Sequence, residues 1–397
     1  MRIYILFALA LIGMACQSSR DAAPTWERGS GEPFLYQAPD GSVLLSYLTP
    51  VNDSTYALRF RRYHPDTQTW DSPRIIATGT NWFVNWADFP SLIETPSGRM
   101  IAHWLQRNGS ESPYAYEVRL TYSDDGGKTW APPFRLHDDS SATEHGFVSL
   151  LPLNDTDVLA VWLDGRKFAT GRSEMTLRSR MLLADGWLTP EEVLDMLTCD
   201  CCQTALARWQ ARPVAFYRDR TPREIRDIAY TYFARTGWAS PSYVHEDGWE
   251  IAGCPVNGPA TDATDETLWI SWFTGAQDTA RVYVAHTSSF PPRFSSPQRI
   301  DLGKPIGRVD LVALPGGAAL AAWVELGTSK DEASWFMRRI SADGSMDEPV
   351  LLARTVASRR SGFPKMVRSG NQLVLAWTAV LPDGTTQIRT EVRSLEL

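Results

Sequence analysis

The chain has 397 residues, 43% of them hydrophobic, with a formal net charge of −7 and an isoelectric point near 5.5. That balance excludes the basic surface a nucleic-acid partner requires. Five cysteines in so long a chain exclude a miniature disulfide-stapled fold, so the core must be built from apolar side chains.

The first element is the opening MRIYILFALALIGMAC, where one arginine precedes an apolar run from Ile3 to Met14. The run is too short to cross a bilayer and has the form of a signal-peptide core. It ends in Gly13-Met14-Ala15-Cys16, which resembles a bacterial lipobox, although Gly13 stands where such boxes favour Leu. The expectation is a signal peptide over 1–16 and a lipid anchor on Cys16 in the cell envelope, facing periplasm or exterior. Plain secretion is the alternative. Residues 17–30 are small and polar and are expected to form a tether before a folded unit at 31–397.

From there a strand with an aromatic near its end recurs every ~55 residues, at Tyr47, Trp104, Trp162, Tyr217, Trp272, Trp323 and Trp377. Turn signals precede these strands, as in APDGS, TPSGR and LPGGA, and shorter apolar segments such as FPSLIE and RVDLVAL precede the turns. An alternating third strand follows (YEVRLTYS, RVYVAHTS), then a short link to a fourth near a proline. A repeat of this length made only of strands predicts an all-β propeller of four-stranded blades. Seven aromatic strands favour seven blades. The last repeat lacks a fourth strand, and the N-terminal PTWERG is expected to supply it and close the ring.

The link at 121–130 reads TYSDDGGKTW, in which Ser123, Asp125, Gly127 and Trp130 match the pattern S-x-D-x-G-x-x-W. Short polar side chains hold such a turn, Gly permits positive φ, and Trp packs between blades. With the repeat, this pattern resembles the Asp-box (BNR) sialidase superfamily from about residue 25 onward. That resemblance implies the fold and keeps six blades open as the count usual for sialidases. It also implies an exo-α-sialidase that hydrolyses terminal acidic sugars without a cofactor. The family's Arg-Ile-Pro motif is absent, since the matching stretch reads GEPFLYQ.

Propeller loops sort to two faces, and the links between blades and from second to third strands should surround the channel mouth. There the sequence places Asp88, Glu144, His145, Asn257, Arg308, Arg166 and the run YRDRTPREIRD with Tyr217, Arg218, Arg220 and Glu224. Arginine forks suit carboxylates, so Arg166, Arg218, Arg220 and Arg308 are candidates for an anion clamp, with internal salt-bridging as the alternative. By resemblance, Asp88 is the candidate acid, and Tyr217 with Glu224 the nucleophile pair. His145 and Asn257 are candidate substrate contacts, His145 equally a structural histidine. Trp82 and Trp86 either fill core or stack on sugar.

Cys199, Cys201 and Cys202 lie in TCDCCQT, and Cys254 opens the next blade. Three readings stay open: disulfides, a copper or zinc thiolate site, or free buried thiols. The expected partner is a glycan, as substrate or as ligand of a non-catalytic binding propeller. Neither the sugar nor the oligomeric state is legible.

Overall fold

The structure is a computed structural model and describes residues 25–395, so the signal segment and Cys16 lie outside the described residues. The described residues form seven antiparallel sheets in chain order. Their innermost strands are Gly31–Gln37, Ser91–Glu94, His145–Pro152, Ala205–Trp209, Ala260–Ala263, Pro305–Ala313 and Lys365–Ser369, numbered here as blades 1 to 7. Blades 2 to 6 each run outward from the inner strand to second, third and fourth strands without a crossover, and in blade 1 both Thr69–Trp70 and Arg74–Thr80 pair with the third strand. This is a seven-bladed β-propeller; six blades are excluded.

Blade 7 has three strands of its own, the last Thr386–Ser394. Its outer position is met by the chain's beginning. Arg28 bridges Gln387, the Gly29 N–H donates to the Thr386 carbonyl at 2.7 Å, and the Ile388 N–H donates to Ser30 Oγ at 2.9 Å. Residues 25–30 therefore belong to the propeller rather than to a tether. Joining the two chain ends in one sheet removes the open edge that a ring of sheets would otherwise present.

The period-55 aromatic strands are the second strands of the blades. Val158–Asp164 is buried along its whole length, because neighbouring blades cover both of its faces. Apolar side chains collect in seven clusters, each between two adjacent blades and together covering the full circle. Trp162, Trp272 and Trp323 are fully buried there. Truncating one such indole to Ala costs about 3–5 kcal/mol.

In the 123–130 turn, Ser123 Oγ donates to Asp125 Oδ1 at 2.8 Å and accepts the Gly127 N–H at 2.9 Å. Asp125 Oδ1 in turn accepts the Lys128 and Thr129 N–H groups at 2.9 Å. Gly127 has φ +79°, and a Cβ there would overlap Phe60 of blade 1. Trp130 meets the same Phe60 edge-on, so the turn both closes a hairpin and fastens blade 2 to blade 1.

The inner strands enclose a central cavity of about 210 Å³, lined from all seven blades or the links entering them. Asp88, Gln203, Asp310 and Lys365 give it polar groups, and Phe34, Phe147 and Phe363 apolar ones.

Candidate functional site

The link from blade 1 to blade 2 turns sharply because the Asn85 side chain accepts the N–H groups of Ala87 and Asp88, at 2.9 and 3.2 Å. This turn aims Asp88 inward. Its Oδ1 accepts the Phe147 N–H at 2.8 Å and its Oδ2 faces the Tyr116 hydroxyl at 2.9 Å. The Phe147 donor is available because the inner strand of blade 3 is irregular between Gly146 and Ser149, with Phe147 at φ +52°. Gly146 is needed for the approach, since a Cβ there would overlap the Asp88 carboxylate.

Tyr116 opens the third strand of blade 2 and stacks on Phe83 with ring centroids 4.0 Å apart. Its hydroxyl also lies 2.7 Å from Glu144 Oε1, so one phenol joins two carboxyl groups. A phenol has one proton to donate. Two hydrogen bonds to it therefore require that one carboxyl be protonated and donate while the other is ionised and accepts.

The surroundings raise the proton affinity of both. Burial pushes Asp88 up to about 7, opposed by the bonds from Phe147 and Tyr116. Burial, with the negative charges of Asp88, Asp200 and Cys254 added, pushes Glu144 up to about 8 against the Tyr116 bond. Burial and both carboxylates hold the Tyr116 phenol well above its ordinary value. Both carboxyls are thus held well above the ordinary carboxylate range, and the hydrogen bonds run as one chain through Glu144, Tyr116 and Asp88. Glu144 is partly exposed while Asp88 is buried and lines the cavity, so the chain runs from mouth to channel.

Beyond Glu144 the mouth carries Asp200, bonded by Arg220 Nη1 at 3.3 Å, and the four cysteines. The thiols of Cys199, Cys201 and Cys202 lie within 4.8 Å of one another, with Cys199 and Cys202 sulfurs 3.4 Å apart. Cys254 sits against Cys201. No disulfide joins any of these four.

The other expected site residues are placed as follows. Tyr217 is fully buried between blades 3 and 4, where its hydroxyl donates to Asp195. Glu224 is held by Arg220 and Arg226, each at 2.7 Å, so it does not pair with Tyr217. An Asp, a Tyr and a Glu do meet, but the Tyr and the Glu are Tyr116 and Glu144, not the expected Tyr217 and Glu224.

The four arginines do not converge on one cavity. Arg166 bonds Asp164 and Glu191. Arg218 donates to the carbonyls of Arg226, Phe273 and Asn257 at 2.6, 2.7 and 2.8 Å. Arg308 donates to Ser361 Oγ and to the carbonyls of Ala357 and Ser358. Arg220 bonds Glu224, Asp200 and the Ser173 carbonyl, at the side of an outer groove with Asp219 and Tyr243. Each guanidinium has internal partners, and none lines the central cavity.

Asn257 spends its amide on loop closure, accepting the Arg308 N–H and donating to the Pro255 and Ile306 carbonyls. His145 is buried, stacked on His137, with Nε2 3.0 Å from Asp139 Oδ2 and Nδ1 beside the Thr143 carbonyl, so neither nitrogen faces the thiols. Trp82 is core, packed on Trp104. Trp86 is half-buried, stacked on Phe363 and flanked by Arg308 and Arg359.

Sequence reasoning missed Tyr116 because nothing in YEVRLTYS sets it apart. The available signal was its place: it ends the long polar link NGSESPYA, which belongs to the face carrying the mouth.

No family model matches the chain, and no curated protein matches it in sequence. Solved structures do. The polysaccharide lyase Uly1 superposes with a TM-score of 0.54 at 9% identity, over 92% of this chain and 89% of that one. An α-L-arabinofuranosidase from Fusarium graminearum gives 0.50 at 13%, over 92% and 93%. A Trypanosoma rangeli sialidase gives 0.47 at 12%, over 93% of this chain and 59% of its own. The first two share the fold. At such identities the likeness extends no further.

Proposed function

We propose that the protein is a carbohydrate-active enzyme whose proton transfers are run by Glu144, Tyr116 and Asp88, with glycoside hydrolysis as the reaction. The observation that carries this is the single phenol bonded to two carboxyl groups, both of which burial pushes well above the ordinary carboxylate range. Hydrolysis needs an acid for the leaving oxygen and a base for water. Glu144, partly exposed and protonated near neutrality, gives its proton to the leaving oxygen as the glycosidic C–O bond breaks. Water adds at the anomeric carbon, and its proton returns to Glu144. Tyr116 stays a phenol throughout and passes its hydrogen bond between the two carboxyls, with Asp88 as the counter-charge.

The fold likeness to a polysaccharide lyase and an arabinofuranosidase supports a glycan as substrate. An exo-α-sialidase is the finer form of the reading, but its arginine clamp is not assembled, so sialosides are one arm of the test among several. Purified protein and Glu144→Gln should be incubated with sialosides, arabinans and uronate-containing glycans, and new reducing ends measured. Release by the parent and none by the variant is expected; no release from any glycan rejects the enzyme. The full burial of Tyr116 favours a second reading, a non-catalytic glycan-binding propeller. In that case parent and Glu144→Gln bind a glycan alike and neither cleaves it.

We propose further that Cys16 carries lipid and holds the propeller at the cell-envelope membrane. Cys16→Ser should move the protein from the membrane fraction to the soluble one; unchanged membrane retention would refute the anchor.

A further inference from the structure

We infer that Cys199, Cys201 and Cys202, with Cys254 as the outer fourth ligand, form a thiolate site for a thiophilic d¹⁰ ion, zinc(II) or copper(I). The inference does not rest on the glycosidase reading. The geometry is the first support. Three sulfurs from four consecutive residues point to one spot, and Cys201 touches the other three sulfurs, including Cys254 from the link between blades 4 and 5. An all-sulfur set of this kind selects soft cations over magnesium or calcium. The short spacing brings the Cys201 N–H onto the Cys199 sulfur, the type of outer contact that orients thiolate ligands.

Charge is the second support, and it separates a thiolate site from a pair of disulfides. Arg226 is buried with Nη1 3.2 Å from Cys199 Sγ, and its Nε has no partner among the described residues. Glu224 answers only its Nη2. Arg218, also buried, lies near Cys202. A thiolate at Cys199 accepts the Arg226 Nη1 donor as a charge-assisted hydrogen bond, which the neutral sulfur of a disulfide replaces only weakly. Binding the ion displaces the remaining thiol protons to solvent, with no change of oxidation state.

The test uses the exported protein purified without oxidant. Zinc and copper are measured by elemental mass spectrometry, and thiols are alkylated before and after denaturation in chelator. The expected result is one ion per chain and four alkylated cysteines that are protected until the chelator is added. Separate competitions with a chromophoric zinc chelator and a copper(I) chelator then tell which ion is held. Cys201→Ser, which removes the central sulfur, should abolish the ion. Cys254→Ser, at an exposed position that leaves the fold intact, should retain it about tenfold or more weakly. A mass four hydrogens below the reduced value, with no ion taken up on anaerobic reconstitution, means two disulfides and overturns the proposal. So does an ion content that Cys254→Ser and Cys201→Ser both leave unchanged.

Discussion

Asp88→Asn probes the carboxyl pair without any substrate. Asp88 is 3% exposed and pushed up by burial to about 7, so in the folded protein it keeps a proton that the unfolded chain releases near 3.8. The sign follows directly. The raised value means that the contribution of neutral Asp88 is fully present below the unfolded pKa and is lost as pH rises through about 7. Each pH unit over which the folded state holds the extra proton is worth ~1.4 kcal/mol, giving about 4 kcal/mol across the window. Asparagine keeps the shape. Its oxygen still accepts the Phe147 N–H, and its amide can donate to the Tyr116 oxygen, which then donates to Glu144. His103 and His137, both lowered by burial to about 3, lose stability below their unfolded value as pH falls, but they do so in both proteins. The difference between parent and variant therefore reports Asp88 together with the part of the Glu144 shift that the Asp88 charge causes. Urea unfolding across the acid-to-alkaline range should show the parent losing ground to Asp88→Asn by about 4 kcal/mol between the two Asp88 pKa values, any further loss up to about 8 belonging to Glu144. A difference that stays flat over that window would refute the claim that a buried proton sits on Asp88.

Three further outcomes follow from the same geometry. If Asp88 must be ionised and Glu144 protonated, kcat/KM on a cleaved glycan should be bell-shaped, with an acid limb near 7 and an alkaline limb near 8, and a pH-independent rate would remove both from the chemistry. Tyr116→Phe should lower kcat by about 10²–10⁴-fold with little change in KM, and should move the alkaline limb because Glu144 loses its phenol partner; an unshifted profile marks the phenol as structural. Arg218→Met leaves three carbonyls without their donor and should destabilise the fold by about 3 kcal/mol or more, whereas unchanged urea stability with lost glycan affinity would restore Arg218 to the binding site.

The fold was legible because its cause is local and repeated. A blade needs a strand buried on both faces, and such a strand must be apolar along its length, which VLAVWL and ALAAWV announce within six residues. The period then counts the blades, and the missing outer strand of the last repeat points to the N-terminus as its source. The 17–30 tether boundary failed at its far end because PTWERG is mostly polar and turn-like in composition, although Trp26 is buried between blades 7 and 1 and Ser30 is buried against blade 7. Composition does not reveal pairing with a strand some 350 residues away.

The site was less legible for a physical reason that also separates its two halves. Loop position told which residues gather at the mouth, and Asp88, Glu144, Asp200, Cys201 and Cys254 do gather there. Position does not tell which way a long side chain turns once it arrives. Arginine has five donors and a flexible stem, and near the crowded mouth backbone carbonyls left unpaired by irregular links compete for it. Arg218 and Arg308 went to those carbonyls, and Arg166 and Arg220 to neighbouring carboxylates. The interleaving of Asp219, Glu224 and Asp227 with arginine in YRDRTPREIRD was the warning, since opposite charges so close in sequence satisfy one another before any ligand comes. Asp88, by contrast, was legible because a short carboxylate after an Asn turn has few directions to point. What made its partners invisible is that Tyr116 and Glu144 are 28 residues apart, on strand and link, and meet only because the ring folds blade 2 against blade 3. A short side chain on a tight turn is thus the safer inference from sequence, and a long cation on a loop the weaker one.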